Sequence, residues 1–232
     1  MTPKIIHLCW FSDDPYPVEI QACLKTWRHL LPDYKIRLWD ADAARSIGCP
    51  FIDEALRRHR WAYAADAVRF YAVWKEGGVY MDSDIFLRRR FDDIIVDEGC
   101  VTFNEFFPDH DGHSALQAAF FIGSKGNEFC KRVFDHYNTS DYEEVISPYI
   151  MAYVAEKYFG YRNEDTEQHL DGLTVYPSRL LTPSKRFKVA ADAYGVHCIY
   201  GSWRKRRFGR RIELALKHAL FWVKFRILGM YR

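Results

Sequence analysis

An isoleucine-rich apolar run from Lys4 to Trp10, bounded by Pro3 and by the turn-prone Ser12-Asp13-Asp14-Pro15, predicts a buried strand. A helix over about 17–29 and a second strand over 35–39 follow. This strand–helix–strand opening predicts an α/β sheet with parallel neighbours. From Trp61 to about Glu76 apolar residues occupy most faces, as in a buried helix, and Gly77-Gly78 is a left-handed stop. Val79-Tyr80-Met81 resumes as a strand and runs through Asp82-Ser83-Asp84 into Ile85-Phe86-Leu87, so these acids close a core strand. Further strands are expected over 100–103, 118–122 and 173–176, and helices near 128–137 and 148–159. There is no internal repeat, no low-complexity stretch and no linker before Ser202.

Composition narrows this picture. With 232 residues, 49% hydrophobic and 17% aromatic, the chain can bury one sizeable core, which excludes a disordered tail, a collagen-like fibre and a disulfide-stapled miniprotein. The formal charge of +2 offers no argument for nucleic acid, but it hides an asymmetry. Residues 204–232 carry ten Lys/Arg against Glu213 alone, net +9, leaving 1–203 at net −7. The six cysteines form no CxxC and no Cys/His cluster, and read as buried thiols of a reducing compartment. The amino terminus lacks the apolar stretch and cleavage site of a signal peptide, and no 18-residue apolar run occurs. The expectation is a cytoplasmic protein without a spanning helix.

Asp-x-Asp occurs three times: Asp40-Ala41-Asp42, Asp82-Ser83-Asp84 and Asp109-His110-Asp111. Only the second lies between apolar strand segments, where two carboxylates repel unless a divalent cation, shared with a diphosphate, relieves them. A solvated turn is the plainer alternative. The other two pairs read as loop acids or helix caps. Asp66 and Arg69, spaced i, i+3 on the 61–76 helix, point to one side; that spacing fits a self-satisfying ion pair as well as a ligand site.

The run Ile5-Ile6-His7-Leu8-Cys9-Trp10, then Leu24-Lys25-Thr26-Trp27, Leu31-Pro32-Asp33-Tyr34, Leu38-Trp39-Asp40, Ala65-Asp66-x-x-Arg69 and Glu76 to Asp84 resemble the DXD-type glycosyltransferases of family 32. Ile146-Ser147-Pro148 and the closing Val196-His197 to Gly201-Ser202-Trp203 fit as well, so the likeness extends over residues 3–203. It implies a GT-A fold, Rossmann-like and nucleotide-sugar-binding, as a single domain over 1–203. It also implies Mn²⁺ or Mg²⁺, a nucleotide-sugar donor, a UDP-sugar ahead of a GDP-sugar, and transfer with retention. By the same resemblance Trp10 borders the base, and Asp66 and Arg69 contact sugar, ribose or phosphate. Asp82, Asp84 and His197 hold the metal, and Ser202 and Trp203 close over the diphosphate. Two departures are Ser147 where relatives have Gly, and Gln117 where they often have Asn.

Residues 204–232 combine Arg204-Lys205-Arg206-Arg207 and Arg210-Arg211 with an apolar face that includes Leu214, Leu220, Phe221, Trp222 and Phe225. This predicts a basic amphipathic helix lying on an anionic membrane, or packed on the protein itself or a second copy. The expected acceptor is then a lipid-linked saccharide of surface or capsular polysaccharide synthesis, with the protein peripheral on the inner face of the plasma membrane. Alternatives are a non-catalytic module that binds a nucleotide-sugar or saccharide in the same cleft, and a phosphohydrolase built on Asp82 and Asp84, for which the sequence shows no nucleophile.

Overall fold

The computed structural model describes residues 2–106, 114–181 and 189–199. Asp109-His110-Asp111, Ser202, Trp203 and the 204–232 helix expectation therefore lie outside the described residues. In chain order the elements are β1 (Ile5–Cys9), α1 (Val18–Leu30), β2 (Lys35–Trp39), α2 (Ala41–Arg45), α3 (Pro50–Arg57), α4 (Trp61–Glu76), β3 (Gly78–Met81) and β4 (Ile85–Leu87). They continue with β5 (Cys100–Phe106), β6 (Ser114–Leu116), β7 (Phe120–Gly123), α5 (Glu128–Thr139), α6 (Ser147–Phe159), β8 (Gln168–Leu170), β9 (Leu173–Tyr176) and β10 (Gly195–His197).

The main sheet runs β2-β1-β3-β7-β5-β9-β8, with β6 hydrogen-bonded to β5. Strands β2, β1, β3, β5 and β9 point one way, while β7 opposes both its neighbours and β8 opposes β9. A separate two-stranded sheet pairs β10 with β4. The sheet divides two cores. One packs α3, α4, α5 and α6 around Phe70, Phe121, Phe129 and Met151; the other packs α1 around Trp27, Leu87, Phe103 and Phe120.

Local chemistry explains the elements that matter for the site. Nine of the sixteen residues of α4 are buried, as an all-round apolar helix requires. It stops at Gly77, whose N–H returns to Val73 O, and both Gly77 (φ 70°) and Gly78 (φ 112°) take left-handed conformations. A Cβ on Gly78 would stand 2.6 Å from Ile5 O, so the reversal into β3 needs glycine for space as well as for φ. In β1, buried His7 is held from both ring nitrogens: Trp39 Nε1 donates to Nδ1 at 3.1 Å, so Nε2–H donates to Gly77 O at 2.8 Å.

Two short helices, α2 and α3, occupy a stretch to which the hydrophobic pattern assigned no element. Asp40 caps α2 by accepting from Ala43 N at 2.8 Å, so this acid of the first Asp-x-Asp is a cap. All six cysteines are free thiols, five buried and Cys9 half-buried. Among the described residues no helix is long and apolar enough to cross a membrane.

Candidate functional site

The site lies where β3 ends. Asp82 N–H donates to Ala119 O (2.8 Å), and Ile85 N–H to Asp82 O (2.9 Å), closing the turn that carries Asp82-Ser83-Asp84 from β3 into β4. Across from it, β10 pairs antiparallel with β4, with His197 opposite Ile85, and Cys198 N–H donates to Asp84 O at 3.1 Å. This register brings His197 Nε2 to 3.5 Å from Asp84 Oδ1. One ligand atom each from Asp82, Asp84 and His197 lies within 4.8 Å of the others. Two hard carboxylate oxygens and an imidazole nitrogen suit Mn²⁺ or Mg²⁺, with the nitrogen favouring Mn²⁺.

Electrostatics fit the same cluster. Burial works against a charge on His197, but Asp84 and then Asp82 and Glu105 outweigh it and raise its pKa to about 9. His197 Nδ1 is buried without a hydrogen-bond partner among the described residues.

Asp66 and Arg69 come to the same place from α4. Arg69 NH2 is 2.9 Å from Asp66 Oδ1 and 3.5 Å from Asp82 Oδ1, NH1 donates to Ala118 O at 2.8 Å, and Nε donates to Ala65 O at 3.1 Å. The guanidinium also lies over the Tyr80 ring at 4.7 Å, while Tyr80 OH donates to Asp82 Oδ1 at 2.6 Å. The pair is therefore an intrahelical ion pair and a neighbour of the Asp-x-Asp at once. Burial opposes the charge of Arg69, yet Asp82, Tyr80 and Asp66 together hold it firmly protonated. Burial pushes the Asp66 carboxyl up, against Arg69 and a 2.8 Å hydrogen bond from Ser147 Oγ.

Ser147, one of the two departures noted above, thus orients Asp66 from the start of α6. Trp10 follows β1 at the same carboxyl edge of the sheet. It is half-buried, its Nε1–H donates to Asp14 O at 3.0 Å, and it stands edge-on to Tyr16. The structure brings together five of the eight residues singled out in the sequence: Asp66, Arg69, Asp82, Asp84 and His197. Reading the sequence missed Tyr80, although its place two residues before Asp82 was signal enough. It also missed Glu105, for which no motif exists.

Residues 17–101 match the family described as "Glycosyltransferase sugar-binding region containing DXD motif". They resemble a DXD-type glycosyltransferase region. This DXD region contains Asp66, Arg69, Asp82 and Asp84, whereas His197 lies outside it. Part of the chain is similar to inositol phosphoceramide mannosyltransferase 3 of Schizosaccharomyces pombe, with 30% identity over 97 residues. That match covers 40% of this chain and 27% of the yeast protein, so the chain spans about a quarter of that relative. A solved structure described as "PaToxG Glycosyltransferase" superimposes with a TM-score of 0.54 at 16% identity, covering 67% of this chain and 69% of the other. The architecture around the DXD region is that of a GT-A glycosyltransferase fold.

Proposed function

We propose that the protein is a metal-dependent, retaining glycosyltransferase that moves a hexose from a nucleotide-sugar, a UDP-sugar ahead of a GDP-sugar, to a saccharide acceptor. The observation that carries this reading is the convergence of Asp82, Asp84 and His197 beside the Asp66–Arg69 pair, within and next to a DXD region. Asp82, Asp84 and His197 would hold the divalent ion, which when bound stabilises the charge of a departing diphosphate. Arg69, fixed by Ala65 O, Ala118 O and two carboxylates, keeps a positive charge beside that diphosphate without having to reorganise. Asp66, oriented by Ser147 and Arg69, is placed to accept from sugar or ribose hydroxyls. For retention we favour attack on the face that the leaving group vacates: the anomeric C–O bond breaks, the acceptor oxygen bonds to the same carbon, and the departing phosphate oxygen takes the acceptor proton.

The acceptor reading rests on the 204–232 sequence. A basic, aromatic-rich amphipathic segment suits an anionic membrane surface, which favours a lipid-linked saccharide in surface or capsular polysaccharide assembly on the inner face of the plasma membrane.

The deciding experiment measures nucleotide release from a panel of UDP- and GDP-sugars with Mn²⁺, with Mg²⁺ and with chelator, for wild type and Asp84→Ala. The expected result is release from one donor, only with metal, and reduced at least about a hundredfold in Asp84→Ala. Metal-dependent donor binding without turnover, in the presence of saccharide acceptors, would instead describe a binding module.

A further inference from the structure

Strand β5 ends in a carboxylate that none of the roles above employs. Glu105, opposite Ala115 of β6, is only 7% exposed. Alternation along β5 turns Val101 and Phe103 into the α1-side core, and Glu105 continues that face toward the carboxyl edge of the sheet. Ile85 and Leu87 of β4 belong to the same core, so Glu105 extends the face on which β4 and β10 bring Asp84 and His197 together.

Glu105 also has a neighbour of fixed orientation. The carboxamide oxygen of Gln117, itself buried, accepts from Ala119 N–H at 2.9 Å, which leaves its NH2 end as the donor, and Gln117 favours the ionised form of the Glu105 carboxyl. Gln117 O in turn accepts from Thr102 Oγ1 (2.9 Å), and the adjacent Ala118 O and Ala119 O accept from Arg69 and Asp82 N–H. One short segment, 117–119, therefore ties β5, through Gln117 N–H to Phe103 O at 2.7 Å, to Arg69 and to the backbone of Asp82. Burial pushes the Glu105 carboxyl up, His197 opposes this, and Asp82 reinforces it, so the carboxyl belongs to the same electrostatic cluster.

The chemistry of the ligand indicates what such a group can meet. A diphosphate presents only acceptor oxygens and repels a carboxylate. The donors of a nucleotide-sugar and its acceptor are ribose and saccharide hydroxyls and base N–H groups; those at the reacting end are the saccharide hydroxyls, and an ionised carboxylate has several lone-pair positions to receive them. We infer that Glu105 is a specificity-determining residue that accepts hydrogen bonds from saccharide hydroxyls beside the Asp82–Asp84–His197 cluster. This rests on the glycosyltransferase reading and extends it to a residue outside the DXD region. The hydroxyls can be those of the transferred sugar or those of the acceptor.

The test separates these sources. Calorimetry with Mn²⁺ compares the UDP- or GDP-sugar that wild type binds with its free nucleoside diphosphate, for wild type, Glu105→Gln and Glu105→Ala. Transfer to octyl hexosides is measured in parallel with hydrolysis, and melting temperatures report folding. If Glu105 reads the transferred sugar, both variants bind nucleoside diphosphate within about twofold of wild type but bind the nucleotide-sugar about tenfold or more weakly. If it reads the acceptor, donor binding and hydrolysis persist while transfer falls by a similar factor. Equal loss of nucleoside diphosphate and nucleotide-sugar binding overturns the inference in favour of a supporting role behind His197, and no change in any measurement overturns it outright. Should Glu105→Ala fail to fold, the near-isosteric Glu105→Gln decides alone. A wild type that binds no nucleotide-sugar with metal removes the proposed function itself, before any variant is compared.

Discussion

Arg69 shows how much of this site rests on one side chain. Its three nitrogens serve two backbone carbonyls and two carboxylates, a set that the planar guanidinium fork can reach and a lysine ammonium cannot. Arg69→Ala is expected to cost about 3–5 kcal/mol in urea unfolding, because buried Asp66 loses its counter-charge. Adding Asp66→Asn should recover part of that loss, which a double-mutant cycle measures directly. His7 makes a second residue-scale prediction. Burial lowers its pKa in the folded protein, against its bond to Gly77 O, so below about pH 6.5 the unfolded chain binds the extra proton and the stability His7 contributes declines. The stability gap between wild type and His7→Gln should therefore narrow from pH 7.5 to 5.5, and a constant gap would contradict this. At this scale Asp82, Asp84, Asp66, Arg69 and His197 were legible because each stands in a recognisable string. Glu105 was not, since a single acid in an apolar strand advertises nothing until pairing and burial give it neighbours.

At the scale of elements, dense apolar runs were readable and short mixed stretches were not. Helix α4 announces itself by sixteen residues of dense apolar character ended by two glycines, and β1 and β3 by compact apolar runs. Helices α2 and α3 span five and eight residues, and β6, β8 and β10 three each, too few to carry a period. Strand β10 is nevertheless the element that delivers His197. Its pairing depends on close approach: a Cβ on Gly195 would lie 2.9 Å from Phe86 O. Gly195→Ala is expected to push β10 off β4, with a loss of about 1–3 kcal/mol in stability and weaker Mn²⁺ binding by calorimetry. The α/β class and the places of its principal strands along the chain were thus foreseeable, while the antiparallel insertion of β7 and the β4–β10 ribbon arise from tertiary pairing.

For the molecule as a whole, charge is distributed along the chain rather than balanced locally: residues 1–203 are net −7 and 204–232 net +9. On the membrane reading proposed above, a chain ending at Trp203 should stay soluble and lose co-sedimentation with vesicles containing phosphatidylserine. Binding of the full chain should weaken with salt, since each basic residue near an anionic surface contributes about 1 kcal/mol. Unchanged vesicle binding by the shortened chain would remove that reading.

The proposed ligand set is divided along the chain, with Asp82 and Asp84 more than a hundred residues ahead of His197. On a ribosome adding about 5–20 residues per second, the two acids emerge roughly 6–23 s before the histidine. During that interval the nascent chain has the β1, β3 and β4 sequences but lacks the third of the three proposed ligands. On the metal reading proposed above, completing the shell therefore waits for β10, and a chain halted before it would lack His197 however well its first half had folded.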